Sequence, residues 1–183
     1  MNETGAKPIL QVRDLKVYFK TIFGDAKSVD GVSFDVYENE ILGIAGESGC
    51  GKSTFVEAAL RLIKPPGEIE AGRILYRGKD ILTMKEYDLQ QIRWKEIAYI
   101  PQGSMNALNP VLKIEEQLTD AITTHSANRG AEAKQMAAES LVSVGMPAEV
   151  ARMYPHELSG GMRQRVTIGM ATSLRPDLLF ADE

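Results

Sequence analysis

Apolar and polar residues alternate loosely over residues 9–19, through Leu10, Val12, Leu15, Val17 and Phe19, and again over residues 28–37, through Val32, Phe34 and Val36. A two-residue period is that of half-buried strands, and the pair predicts antiparallel neighbours. Residues 20–27, with Gly24-Asp25, predict the loop between them, and Glu38-Asn39-Glu40 a tight turn. The unbroken run Ile41-Leu42-Gly43-Ile44-Ala45 then reads as a buried parallel strand. A helix is expected over residues 52–63; its apolar positions (Phe55, Val56, Ala58, Ala59, Leu60, Leu62, Ile63) exceed a single stripe, so it should be buried. Lys64-Pro65-Pro66-Gly67 ends it, since proline lacks a donor and glycine accepts left-handed geometry.

A polar segment follows, then a short strand at Arg73-Ile74-Leu75-Tyr76 turned by Arg77-Gly78, a helix over residues 86–94, and a strand at Ile97-Ala98-Tyr99-Ile100 closed by Pro101-Gln102. The texture then changes. Residues 114–122 and 131–144 have helical spacing, residues 148–153 add a short helix, and Met162, Val166, Met170 and Leu174 mark one face of another. Leu178-Leu179-Phe180-Ala181 is a last strand. The pattern is α/β, with strand-rich parts flanking a helical insert over about residues 110–174, and with no internal repeat or low-complexity tract.

Composition narrows this little. At 183 residues, 44% hydrophobic and 25% charged, the chain has ordinary globular composition. A net charge of -4 excludes an overall basic field, so no nucleic-acid partner is expected, although Arg163, Arg165 and Arg175 form a local cationic group, best read as an exposed helix face. One cysteine, Cys50, cannot form an internal disulfide; residues 1–7 are polar, and no apolar run approaches the roughly 18 to 20 residues of a membrane span. A cytoplasmic chain is expected, reaching a membrane only through a partner. It stops directly after an apolar run, where a strand should hand over to a loop, and so reads as truncated.

The chemistry centres on Gly46-Glu47-Ser48-Gly49-Cys50-Gly51-Lys52-Ser53-Thr54, which fits G-x-x-x-x-G-K-[ST] between the expected strand and the expected helix. A glycine-rich turn that binds nothing would share the spacing, but not strand before and helix after. Glycines let backbone N–H groups turn onto phosphate oxygens, the helix N-terminus adds positive charge, Lys52 reaches the β/γ-phosphates, and the Ser53 hydroxyl ligates Mg²⁺. Cys50 fills a free position of the loop, and its alkylation is expected to block nucleotide, with Mg-ATP protecting.

Two further stretches complement the loop. Asp182-Glu183 follows the apolar run 178–181, as at a strand ending in a phosphate-metal site: Asp182 would hold Mg²⁺ directly or through water, and Glu183 would orient or deprotonate the attacking water. A strand ending in a solvated acidic loop would look the same in isolation. In Leu158-Ser159-Gly160-Gly161-Met162-Arg163-Gln164-Arg165, Ser159 can cap the next helix and Gly160-Gly161 leave bare N–H groups at its positive end, a second anion site.

That stretch resembles the signature sequence of ABC ATPases, and Gln102 after Tyr99-Ile100-Pro101 resembles that family's Q-loop. Four ordered motifs stand in one chain, and the resemblance covers about residues 9–183. The resemblance implies an ABC-type P-loop NTPase: a RecA-like core with an antiparallel β subdomain (about residues 9–109), an inserted helical subdomain carrying the signature (about 110–174) and the acidic-pair strand (175–183). It also implies two nucleotide-binding domains, identical or paralogous, sandwiching two ATP molecules. Ser159, Gly160 and Gly161 would then serve the partner's ATP, Gln102 would sense Mg²⁺ and the attacking water, and Phe19, with Tyr18 as second candidate, would stack on adenine; core packing explains an aromatic there nearly as well.

Around residues 104–110 and 154–158 the chain resembles the ATP-binding subunits of oligopeptide, dipeptide and nickel importers, although Gly103-Ser104 stands where those usually carry Asp-Pro. The implied partners are transmembrane permease subunits and, through them, a solute-binding protein, with the chain peripheral on the inner face of the membrane. The family also has a switch histidine, which neither His125 nor His156 supplies. It has a strand from beyond the acidic pair between the phosphate-loop strand and the acidic-pair strand, so the core is expected to be incomplete, with unpaired backbone groups. A soluble ABC ATPase acting on DNA or ribosomes, and a nucleotide-binding fragment without turnover, remain alternatives.

Overall fold

The computed structural model describes residues 7–103 and 107–182; Glu183, the expected base, and Ser104 to Asn106, part of the importer resemblance, lie outside the described residues. The chain forms two compact units, residues 1–89 and 90–183.

In the first unit, β1 (Pro8–Thr21) is one of the two inner strands of an antiparallel sheet ordered β2 (Gly24–Tyr37), β1, β3 (Gly67–Tyr76), β4 (Lys79–Asp80). Its fully buried residues are Leu10, Val12, Leu15 and Val17, which breaks the two-residue period between 12 and 15. The structure absorbs the break in a β-bulge: Val12 pairs with Phe34 and Leu15 with Val32, so Arg13 and Asp14 together oppose Ser33, whose hydroxyl accepts the Asp14 N–H at 2.8 Å. Asp14 takes φ 44°, and all four apolar residues stay on one face. Burial at about 25 cal/mol per Å² of apolar surface drives this choice over a regular ladder.

Helix α1 (Lys52–Ala59) packs on β1 and β2 through Phe55, Val56, Ala58 and Ala59, with the Phe55 and Phe34 rings 5.2 Å apart. It stops short of the expected residue 63. Arg61 at φ 52° lets Leu62 N–H reach Glu57 O at 2.7 Å and its own N–H reach Ala58 O at 3.0 Å, a Schellman end. The Arg61 guanidinium donates to Met84 O at 2.7 Å, which offsets a left-handed arginine.

Three other expectations are corrected here. Residues 20–27 are no open loop, because β1 and β2 run to a tight hairpin with Ile22 and Phe23 exposed at its tip. The polar residues 68–71 are strand, paired with β1 from Lys16 to Tyr18. Ile41-Leu42-Gly43-Ile44-Ala45 is not strand: it has no ladder partner among the described residues, and Ile41, Leu42 and Ile44 are exposed. An apolar run becomes a strand only when another strand satisfies its backbone groups.

Helix α2 (Glu86–Ile92), shorter than expected, leads into the second unit. There β5 (Ile97–Ile100) and β6 (Leu178–Ala181) pair in parallel from Ile97–Leu178 to Ile100–Ala181, with the bounds the sequence predicts. Helices α3 (Ile114–His125), α4 (Gly130–Ser143) and α5 (Gly160–Thr172), with short 3₁₀ turns at Ala148–Arg152 and Pro155–Glu157, enclose a core that includes Ile114, Leu118, Ile122, Leu141, Val150 and Val166. Met162, Met170 and Leu174 pack against it, as their spacing with Val166 predicts. Gly145 at φ 70° closes α4 by letting Met146 N–H reach Leu141 O at 3.0 Å, and Met146 is buried.

Candidate functional site

The phosphate loop is built by its helix. Gly51 is the N-cap of α1 and has no side chain to cap with, so the N–H groups of Lys52, Ser53 and Thr54 have no partner within the helix; the first helical bond runs from Phe55 N–H to Gly51 O at 2.8 Å. No acidic residue occupies that first turn, leaving its positive end uncompensated. Gly51 sits at φ 95°, and a Cβ there would stand 2.2 Å from the Ser28 carbonyl oxygen, so glycine is required on both counts. The Lys52 ammonium donates to the Gly46 and Glu47 carbonyls, each at 2.8 Å, and lies 3.5 Å from Cys50 Sγ. Residues 46–50 are exposed and residues 51–54 half-buried. The site is thus a rim of bare backbone donors with one cation folded across it, suited to a polyanion.

Phe19 and Tyr18 lie on the same sheet. Phe19 pairs with Ala26 and Gly67, and its ring edge occupies the space above Gly67 that a Cβ would need. Half-buried, the ring is held by strand packing. Tyr18 donates to Asp30 at 2.6 Å, which pushes its hydroxyl up to about 12 and holds Asp30 below the usual carboxylate range.

In the second unit, Gln102 and Asp182 follow neighbouring parallel strands at their carboxyl ends, the edge at which open α/β sheets bind ligands. Asp182 Oδ2 is buried and without a hydrogen-bond partner, while Gln102 is exposed in a turn. A buried, unpartnered carboxylate oxygen fits a cation ligand. Among the described residues no group of three or more His, Cys, Asp or Glu could hold a metal, so Asp182 would be the one described carboxylate of a Mg²⁺ site here.

Ser159 is the N-cap of α5, its hydroxyl accepting the Met162 N–H at 3.3 Å, and no acid stands in the first turn. A Cβ on Gly161 would meet open space, so packing does not demand glycine there. The cationic group is corrected: Arg163 turns back to donate to Leu158 O at 3.0 Å and Pro155 O at 3.3 Å, while Arg165 and Arg175 are exposed. A loop carbonyl offers a fixed acceptor that solvent does not.

The ABC transporter sequence profile matches residues 29–183, most of the chain. The chain belongs to the ABC transporter family. It is 44% identical over 177 residues to the dipeptide transport ATP-binding protein DppD of Caldanaerobacter subterraneus subsp. tengcongensis, covering 96% of this chain and 54% of that protein. It is 43% identical over 178 residues to the oligopeptide transport ATP-binding protein OppD of Bacillus subtilis, covering 96% and 50%. The chain therefore spans about half the length of the curated relatives it matches. Among solved structures it resembles MJ0796, a dimeric bacterial ABC transporter cassette, with a TM-score of 0.83 at 25% identity over 94% of this chain and 72% of that one. The same protein in a post-hydrolysis state bound to ADP and Pi superposes with a TM-score of 0.82 at 26% identity. The α/β, P-loop class of fold read from the motifs is the fold of this ABC family member.

Sequence reasoning missed Ser28. Its contacts follow from an offset in strand pairing, which no local pattern encodes.

Proposed function

We infer that this ABC family member is the ATP-binding part of an importer subunit, and that it binds ATP with Mg²⁺ and hydrolyses it to drive uptake of peptides or similar solutes. The observation that carries the reading is the Lys52 ammonium across a rim of unpartnered α1 N–H groups. In the roles proposed, Gly46 to Thr54 hold the phosphates, Lys52 neutralises charge developing on the γ-phosphate, and Ser53, Gln102 and Asp182 bind or sense Mg²⁺. Glu183 is the proposed base for the attacking water. Ser159, Gly160 and Gly161 reach the ATP of a second nucleotide-binding domain, and Phe19 faces adenine. The dimeric state of MJ0796 supports such a second domain, and the names of the relatives support permease partners. A solute-binding protein acting through the complex, a place on the inner face of the membrane, and no nucleic-acid partner complete the reading; no helix of the described residues is long and apolar enough to cross a membrane. Residues 110–174 act in it as the helical signature subdomain.

The test is phosphate release from Mg-ATP by the protein purified together with its natural membrane neighbours. Hydrolysis that rises when peptide and a solute-binding protein are supplied is expected, and Glu183→Gln should keep ATP bound without turnover. Near-normal turnover in Glu183→Gln would move the base elsewhere, and absence of permease subunits from the purified assembly would remove the importer reading.

A further inference from the structure

Between the pairs Val17–Val29 and Tyr18–Lys27, β2 carries one residue more than β1. The extra residue is Ser28, which the bulge frees from the ladder. Both its polar ends meet the phosphate loop. The carbonyl oxygen fills the space beside Gly51, 2.2 Å from where a Cβ would lie, and the hydroxyl donates to Thr54 Oγ1 at 2.9 Å. Thr54 is the third residue of α1, so its backbone N–H is one of the donors left free at the helix start.

A threonine hydroxyl in a helix ordinarily turns its proton onto the carbonyl three or four residues back, which for Thr54 means Gly51 or Cys50. Donation from Ser28 occupies a lone pair of Thr54 Oγ1 and fixes the hydroxyl, leaving its proton as a donor at the rim. We propose that Ser28 is a positioning residue for nucleotide phosphate: its hydroxyl holds Thr54 so that the Thr54 O–H donates to a phosphate oxygen. This rests on the reading of residues 46–54 as a phosphate cradle. The bulge thereby does two things with one residue. Its carbonyl seats the loop at Gly51, and its hydroxyl orients the loop's last side chain.

Equilibrium binding of Mg-ATP, Mg-ADP and adenosine to the protein and to Ser28→Ala, Ser28→Thr, Thr54→Val and the double variant Ser28→Ala/Thr54→Val tests the proposal. Ser28→Ala should weaken ATP and ADP about fivefold and leave adenosine unchanged, as expected for one oriented hydrogen bond to phosphate. Ser28→Thr, which keeps the hydroxyl, should restore affinity. In the Thr54→Val background, Ser28→Ala should have no further effect. Should Ser28→Ala fail to fold, Ser28→Cys, a weaker donor of similar size, carries the same expectations. Equal loss in both backgrounds, or equal loss for adenosine and ATP, would make Ser28 a packing residue and overturn the proposal. Unchanged ATP binding in Ser28→Ala, with Lys52→Ala still defective, would overturn the role of Ser28 alone; if Lys52→Ala also binds normally, the cradle itself fails.

Discussion

The backbone N–H of Asp182 donates to the carbonyl of Ile100 at 3.0 Å, extending the parallel pairing of β5 and β6 one step beyond the strands. That bond holds the Asp182 backbone at the sheet's carboxyl edge while one carboxylate oxygen stays buried and unpartnered. With Asp182 as the proposed Mg²⁺ ligand, Asp182→Asn should weaken ATP binding about tenfold in Mg²⁺ and leave binding in EDTA unchanged. Paired titrations with and without Mg²⁺ read it. An equal loss under both conditions would indicate a structural role.

Cys50 Sγ lies 3.5 Å from the ammonium that the reading places on phosphate. The thiol is exposed, and an adduct on it would crowd that ammonium. Complete, mass-verified alkylation should abolish nucleotide binding, and saturating Mg-ATP should slow the labelling by at least about tenfold. Unaltered ATP affinity in the fully labelled protein would place the nucleotide elsewhere.

The His125 ring stacks on Trp94 at 5.8 Å between centroids and 10° between planes. Burial holds its pKa below the ordinary value, partly offset by the Asp120 charge. The unfolded chain, with histidine near 6.5, thus binds a proton before the native state does, so stability is full above about pH 6.5 and falls as pH drops through that value toward the native pKa. Urea midpoints at pH 7.5, 6.5 and 5.5 should show this decline, and His125→Phe, which keeps the stack, should flatten it. The same pH slope in both proteins would contradict the assignment.

Leu118 is fully buried among the side chains of the helical core. Leu118→Ala should cost about 2 to 5 kcal/mol of unfolding free energy, for lost burial plus the cavity left behind. A loss below about 1 kcal/mol in denaturant titration would mean that this core is loosely packed.

The parts of this fold legible in the sequence were those whose pattern is local. β5 and β6 have the bounds their apolar runs predict, and α3 and α4 lie within a few residues of their periodic spans. What depended on pairing was illegible. The polar residues 68–71 are strand because β1 lies beside them, whereas the apolar Ile41-Leu42-Gly43-Ile44-Ala45 has no neighbouring strand and makes none. Backbone conformations unusual for the residue type were hidden too: Arg61 ends α1 early in left-handed geometry, and Trp94 takes φ 68°. At the candidate site, the loop's residues are named by their spacing, but Ser28, whose hydroxyl meets Thr54, sits at a bulge visible only once the strands are aligned.

Titration with Mg-ATP of the protein and of Lys52→Ala tests the central claim most directly. Lys52 lays its ammonium across the loop, held by the Gly46 and Glu47 carbonyls. Its removal should weaken ATP binding about 100-fold, the loss expected for charge-assisted bonds to phosphate. An affinity within threefold of the unaltered protein would contradict the phosphate cradle.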